Sequence, residues 1–440
     1  MTRLADNDMA VKRFNSLDAR VREASKEYYH SRPVASYNVT DEEGKTYSVN
    51  VDLRALLLLS ALTDNKVLLS GSTGCGKTHL AKMVNAALFG EKGYRTLQID
   101  ASFSLDKLRD ITFKTIAEGG RLHDAVIEAD VLNVPGVVID EYNRAPTEIT
   151  NIIQGWLQNG VLTFEGGKEC RPGVVFNGGE RYQWKIATVN EGSRYSGARK
   201  LDKASRDRLS VEIPLDVFPL TDDDRRKLRV KTSTGVEVYN GDGALEDVLA
   251  ALNDIRKVPL SIPADEFLLY LQRMNQCVKT PNKTKLEVEN FSPEYCKGCH
   301  LSKGHNNICG SVYAPSDRSI IALQNLARGF AFYRHVQKGS LLVADSEDVI
   351  AAAPFVLLSK LDIHPGWIDK RGEGSPNGSR WAAVSQVVKY AYERFSTFVK
   401  NNYEHLKSPT PEAEKAIKKY AADHDAWGVE LEKEKEKDTK

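Results

Sequence analysis

The sequence is poor in cysteine and has no long apolar run. Six cysteines in 440 residues do not make the disulfide framework of a small secreted fold. The longest greasy stretch, Ala55 to Leu62, falls well short of the roughly 18 apolar residues that cross a bilayer. The opening residues, Met1 to Asp6, carry no apolar signal core, so the expected compartment is the cytoplasm. Neither charge is in excess. The 61 basic and 60 acidic residues give a net charge of +1, which provides no global field to draw in nucleic acid, though a local patch stays possible. No internal repeat is visible. What is present is a hydrophobic share of 41% and a charged share of 28%. That composition excludes a wholly disordered chain, and the length suits two or three domains.

Periodicity divides the chain. Residues 8–30 have Val11, Phe14, Leu17, Val21 and Ala24 at helical spacing. Tyr37 to Val51 alternates through a Glu-Glu-Gly turn and predicts a hairpin. From Arg54 onward helices and strands alternate. Val67 to Leu69, Arg95 to Asp100, Val137 to Asp140, Ile186 to Val189 and Leu209 to Pro214 read as strands, and Thr78 to Leu88 as a helix. Such alternation implies a parallel sheet covered on both faces. After Pro219 helices dominate: Leu245 to Ile255, Asp265 to Val278 and Ser316 to His335. A Gly/Pro-rich segment, His364 to Ser379, leads into an amphipathic helix, Trp381 to Phe398, and the tail from Glu430 is a solvated Glu/Lys run. The expected organisation is an N-terminal helix and hairpin (1–49), an α/β core (50–218), a helical region (219–363) with an insertion at 279–313, and a linker, helix and charged tail (364–440).

Gly71-Ser72-Thr73-Gly74-Cys75-Gly76-Lys77-Thr78 fits the phosphate-loop pattern at every fixed position. It follows an apolar strand and opens a helix, which is the context the pattern requires. The glycines let the backbone curl so that its N–H groups face phosphates. Lys77 is expected to reach the outer phosphates, and the Thr78 hydroxyl to hold Mg²⁺. Cys75 reads as a small loop residue, with sensitivity to oxidation or alkylation as its functional alternative.

About 60 residues on, the apolar strand Val137-Val138-Ile139 ends in Asp140-Glu141. Two adjacent carboxylates after a strand, downstream of a phosphate loop, divide the work. Asp140 is expected to organise Mg²⁺, and Glu141 to polarise the water that attacks the γ-phosphate.

At these residues the sequence resembles AAA+ ATPases of the MoxR-type and dynein-related branch. The run Ile139-Asp140-Glu141-Tyr142-Asn143-Arg144-Ala145-Pro146 is similar to that branch's DEINRAP signature, with Tyr142 in place of the usual Ile. Ile186 to Asn190 resembles the sensor-1 strand, which implies that Asn190 helps hold the attacking water. Leu201 to Leu209 resembles the arginine-finger segment, which implies Arg208 as the finger with Arg206 two residues away. Ala314-Pro315-Ser316-Asp317-Arg318 resembles the sensor-2 start of a lid helix, which implies that Arg318 reaches a phosphate. The resemblance covers roughly residues 50–360. It departs from the family at Leu209, where Phe is usual, in a Cys/His insertion in the lid, and in about 80 extra C-terminal residues.

It implies further an insert between Leu105 and Gly120 that projects toward a ring pore, and a hairpin before sensor 1 within Gly160 to Trp184. Phe164, Tyr182 and Trp184 in that stretch read as packing residues. An arginine finger acts on a neighbour's nucleotide, so the resemblance implies a homo-oligomeric ring, most often a hexamer.

Cys296, Cys299, His300, His305 and Cys309 fall within 14 residues. A Cys-x₂-Cys pair makes a chelating turn, and His305 and Cys309 can complete a tetrahedral structural zinc site; His300 is an alternative ligand. A flexible loop of reduced cysteines and a redox or iron–sulfur site are the other readings. Zinc would give the insert a fold that core burial alone would not.

The expectation is therefore an ATP- and Mg²⁺-using ATPase with a parallel five-stranded core, a helical lid and structural Zn²⁺. It would couple turnover to remodelling or maturation of a partner protein, often through a von Willebrand factor A-type partner. A nucleic-acid-acting ring of the restriction or defence type is the alternative, and an ATP-dependent switch with little turnover is a third.

Overall fold

The computed structural model describes residues 7–26, 28, 30–40, 44–104, 108–111, 126–163, 169–191, 201–231, 241–273, 312–313, 315–363 and 376–407. The chain opens with helix α1 (Asn7–Ala24) and the antiparallel hairpin β1 (Ala35–Thr40) and β2 (Thr46–Val51). α1 buries Ala10, Phe14, Leu17, Val21 and Ala24, one face at helical spacing. It stops well before residue 30, where periodicity alone would carry it. The reason lies outside the helix: Arg54 donates to the Ser25 hydroxyl at 2.7 Å and to the Ser25 and Tyr28 carbonyls. Those bonds satisfy carbonyls at the helix end and turn the chain away.

α2 (Leu53–Leu62) starts at Asp52, whose carboxylate accepts from Ala55 N at 2.8 Å. The α/β core follows. It comprises β3 (Val67–Gly71), α3 (Lys77–Phe89), β4 (Tyr94–Gln98), β5 (Arg109–Ile111), β6 (Val126–Glu128), β7 (Gly136–Asp140) and α4 (Thr147–Asn159). Then come the short pairs β8 (Leu162–Thr163) with β9 (Glu169–Cys170) and β10 (Val174–Phe176) with β11 (Glu180–Tyr182). β12 (Trp184–Asn190), α5 (Lys203–Asp207) and β13 (Val211–Pro214) complete it. Five strands form one parallel sheet in the order β13-β3-β12-β7-β4. β3 and β7 are buried along their whole length, as strands covered on both faces must be.

The two expected features around this sheet are partly described. The insert after the second strand has a two-stranded antiparallel base, β5 with β6, and residues 112–125 lie outside the described residues. The stretch before β12 holds two small ladders rather than one hairpin. Tyr182 and Trp184 are packing residues: both are buried, with Tyr182 donating to the Ala61 carbonyl at 3.0 Å and the Trp184 indole to the Asn65 carbonyl at 2.9 Å. Phe164 lies outside the described residues.

Beyond β13 come α6 (Asp222–Lys231), α7 (Leu245–Arg256), α8 (Ile262–Arg273), β14 (Val312–Tyr313), α9 (Asp317–Lys338), α10 (Ser346–Leu357), β15 (Asp362–Ile363) and α11 (Pro376–Lys407). α11 buries Ala383, Val384, Val387, Val388, Ala391 and Phe395 against α8 and α10. One hydrophobic cluster runs from α1 through the inner side of the sheet to α9, α10 and α11. A second lies on the other face, around α4. The Cys296–Cys309 cluster lies outside the described residues, and among the described residues no cluster of three or more His, Cys, Asp or Glu side chains could hold a metal ion. No described helix is long and apolar enough to cross a membrane.

Candidate nucleotide site

Parallel register sets the C-terminal ends of β3, β12 and β7 side by side. Asn190 is opposite Gly71, and Ala187 is opposite Ile139. Open α/β sheets bind ligands at that edge. The loop Gly71–Thr78 leaves β3 there and enters α3. Gly74 and Gly76 take φ of +84° and +86°, a region closed to most side chains. At Gly76 the need is also steric, because a Cβ would sit 2.9 Å from Tyr28 Cε2. Thr73 and Cys75 complete the curl, and Tyr28 donates to the Cys75 carbonyl at 3.5 Å. Burial raises the Tyr28 phenol well above its ordinary value, so it stays a neutral donor.

Lys77 is buried, and its ammonium donates to the carbonyls of Gly71 at 3.0 Å and Ser72 at 2.7 Å, with Cys75 Sγ at 3.5 Å. The charge is thus folded inside the loop. Thr78 donates to Asp140 Oδ1 at 2.6 Å. A hydroxyl and a carboxylate meeting at one point are hard oxygen donors of the kind Mg²⁺ takes.

Glu141 follows Asp140 in a left-handed conformation, φ 56° and ψ 40°, uncommon outside glycine and characteristic of functional turns. Thr188 holds that turn. Its hydroxyl donates to Asp140 Oδ1 at 2.5 Å and accepts from Glu141 N at 3.1 Å. The Glu141 carboxylate is gripped from two sides, by Asn190 Nδ2 on Oε1 at 3.0 Å and by Arg144 Nε near Oε2 at 3.3 Å. Asn143 supports Asn190 by donating to its carbonyl at 2.9 Å.

Lys77, Thr78, Asp140, Glu141 and Asn190 therefore converge. Arg206, Arg208 and Arg318 form another group on and around α5. Arg206 is paired with Glu191 and, at 2.5 Å, with Glu212. Arg208 Nε donates to Gln158 Oε1 at 3.0 Å, and its Nη1 to the Ala204 carbonyl at 2.7 Å. Arg318 lies 3.4 Å from Asp207, which also accepts from Ser316 and Ser319 at the start of α9. Two residues that contact the site have no role assigned by the sequence analysis. Thr188 is one, and the other is Asp216, whose carboxylate accepts from Ser72 N and Ser72 Oγ. A polar residue at alternate spacing with Asn190, in the apolar stretch Ile186–Val189, was the available signal for Thr188.

A phosphate loop, a strand-end Asp-Glu pair and an asparagine on the strand between them, carried on this strand order, define an AAA+ nucleotide-binding core. Residues 66–209 match the family model of the AAA domain, dynein-related subfamily. That match covers the α/β core, which is thus an AAA domain of the dynein-related kind. The chain is similar to an uncharacterized protein of Staphylococcus haemolyticus, with 29% identity over 222 residues that cover 48% of this chain and 73% of that one. In fold it is similar to the crystal structure of a candidate ATPase from Cytophaga hutchinsonii. The TM-score is 0.57 at 16% identity, covering 88% of this chain and 96% of the other. That likeness extends beyond the core to the helical region.

Proposed function

We propose that the protein hydrolyses ATP and couples turnover to remodelling, assembly or maturation of a partner protein. The observation that carries this reading is the convergence on Glu141: its carboxylate is aimed by Asn190 and Arg144 beside the phosphate loop. In this reading the N–H groups of Gly71–Thr78 and the Lys77 ammonium receive the phosphates of ATP. Lys77 exchanges its loop carbonyls for phosphate oxygens. Glu141 takes the proton of the attacking water as that water's oxygen bonds the γ-phosphorus, and ADP leaves. Asn190 orients the water and the carboxylate together. Thr78 and Asp140 would hold Mg²⁺, which supplies charge neutralisation at the β- and γ-phosphates when bound.

Arg208 is the proposed arginine finger, serving the nucleotide of an adjacent subunit in a ring, most often a hexamer. Arg206 is committed to Glu191 and Glu212 within its own chain, which supports the choice of Arg208. Arg318 would exchange Asp207 for a phosphate oxygen and so couple α9 to nucleotide state. Candidate structural zinc at Cys296, Cys299, His305 and Cys309 would brace the insertion, and a von Willebrand factor A-type protein is the proposed partner class.

The test is nucleotide-dependent co-purification with Glu141→Gln as a trap. A protein retained with ATP and lost without it supports the remodelling reading. Nucleic acid retained in place of a protein overturns that reading.

A further inference from the structure

The phosphate loop is fastened at its first turn by a residue outside its motif. Asp216 stands in the 3₁₀ turn Leu215–Val217, directly after β13. Its two carboxylate oxygens lie 3.2 and 3.0 Å from Ser72 N, and 3.0 and 3.1 Å from Ser72 Oγ. A backbone amide and a hydroxyl thus share one carboxylate, an arrangement of charge-assisted hydrogen bonds that fixes direction as well as distance. The carboxylate also lies close to the first glycine of the loop, since a Cβ on Gly71 would be in ordinary contact with Asp216 Oδ1 at 3.4 Å.

The turn that carries Asp216 is itself clamped by three distant parts of the chain. Phe218 stacks on Phe355 of α10, with ring centres 6.3 Å apart, and meets Trp381 of α11 edge-on at 5.1 Å. Phe355 and Trp381 touch each other at 4.9 Å. The Phe218 carbonyl is 2.8 Å from His30 Nε2, in the segment between α1 and β1. Ser72 is therefore linked through Asp216 to a seat built by α10, α11 and the N-terminal segment.

We infer that Asp216 is a positioning residue of the phosphate loop, setting the loop's shape through Ser72 and tying it to the docking of α11 through the Phe218 seat. The inference rests on the nucleotide-binding reading above. Two effects compete at such a place. A carboxylate beside a phosphate site repels an anionic ligand, whereas the bonds to Ser72 hold the loop ready for it. The repulsion comes from a half-buried carboxylate beside the exposed Ser72 and is screened by solvent. The hydrogen bonds are direct, so positioning wins.

The experiment measures equilibrium binding of ATP and steady-state kcat and KM on the full chain. Asp216→Ala weakens ATP by about 10-fold, the loss expected for one charge-assisted bond, with kcat at saturation held within about twofold. Asp216→Asn, whose carboxamide oxygen still accepts from Ser72 N, stays within about threefold of the parent. Trp381→Ala weakens ATP in the parent and adds nothing in the Asp216→Ala background. ATP binding that is unchanged in both Asp216 variants, or tighter in both, overturns the positioning role. Unchanged binding in Trp381→Ala overturns the tie to α11. If the parent chain binds no ATP, or Lys77→Ala binds it equally well, the nucleotide reading itself falls and takes the inference with it.

Discussion

Asn190 donates its side-chain amide to Glu141 Oε1 at 3.0 Å, from the end of one strand to the turn after its neighbour. The bond exists because β12 and β7 run parallel in a fixed register. It places a neutral donor on the carboxylate that the proposed chemistry uses. Asn190→Ala removes the donor and leaves the phosphate loop untouched. The expected result is a fall in kcat of about 10²-fold with a KM for ATP close to the parent's, read from steady-state phosphate release.

Thr188 acts one step further back. Its hydroxyl bridges Asp140 and the Glu141 amide in a fully buried position. Thr188→Val keeps the shape, takes the acceptor from the Glu141 N–H and leaves Asp140 Oδ1 with the Thr78 hydroxyl alone. It should cost about 1–3 kcal/mol in denaturant unfolding and also lower kcat, because the left-handed Glu141 turn loses its tether.

The two candidate arginines separate by the kind of damage they predict. Arg206 is mostly buried between Glu191 and Glu212, and Glu212 is itself buried. Arg206→Ala strands a buried carboxylate and should destabilise the fold by about 3 kcal/mol. Arg208, just past α5, donates to Gln158 and to the Ala204 carbonyl, and neither partner is a carboxylate. Arg208→Ala should leave the unfolding midpoint nearly unchanged and spare ATP binding, while abolishing hydrolysis in the assembled ring. Chemical denaturation beside ATP turnover checks both. Loss of turnover without loss of stability in Arg206→Ala would reverse the assignment.

What could be read from the sequence was local. The phosphate loop, the Asp-Glu strand end and the five strands are each written in a short run of apolar residues and glycines, and each lies where expected. The misses are long-range. α1 ends early, where Arg54, some 30 residues on, takes the Ser25 and Tyr28 carbonyls just past the helix. Arg206 and Arg208 look alike in sequence and differ only once Glu191 and Glu212 fold against one of them. Asp216 sits 144 positions from Ser72, and no spacing rule joins them. The Cys296–Cys309 cluster lies outside the described residues.

Lys185 gives the protein a signature in pH. It is buried on β12, with its ammonium on the Gln183 carbonyl at 3.2 Å and over the Trp156 ring at 5.3 Å. Burial lowers its pKa to about 7; nearby Lys66 adds to the fall, and Asp64 opposes it. In the unfolded chain the same amine titrates near ~10.4. Between these values the unfolded state binds a proton that the folded state does not, so this group makes stability rise with pH from about 7 to about 10. Lys185→Met should raise the melting temperature at pH 7, with the gain shrinking toward pH 10. Thermal melts of parent and variant across that range isolate the difference. A gain that does not depend on pH would contradict the buried, proton-shedding amine.

The role proposed for Glu141 is to activate water at a site that binds ATP. The direct measurement is ATP binding and single-turnover phosphate release on one preparation of Glu141→Gln beside the parent. The variant should bind ATP as the parent does and release phosphate at least about 100-fold more slowly. Phosphate release at the parent's rate, with ATP bound, would contradict it.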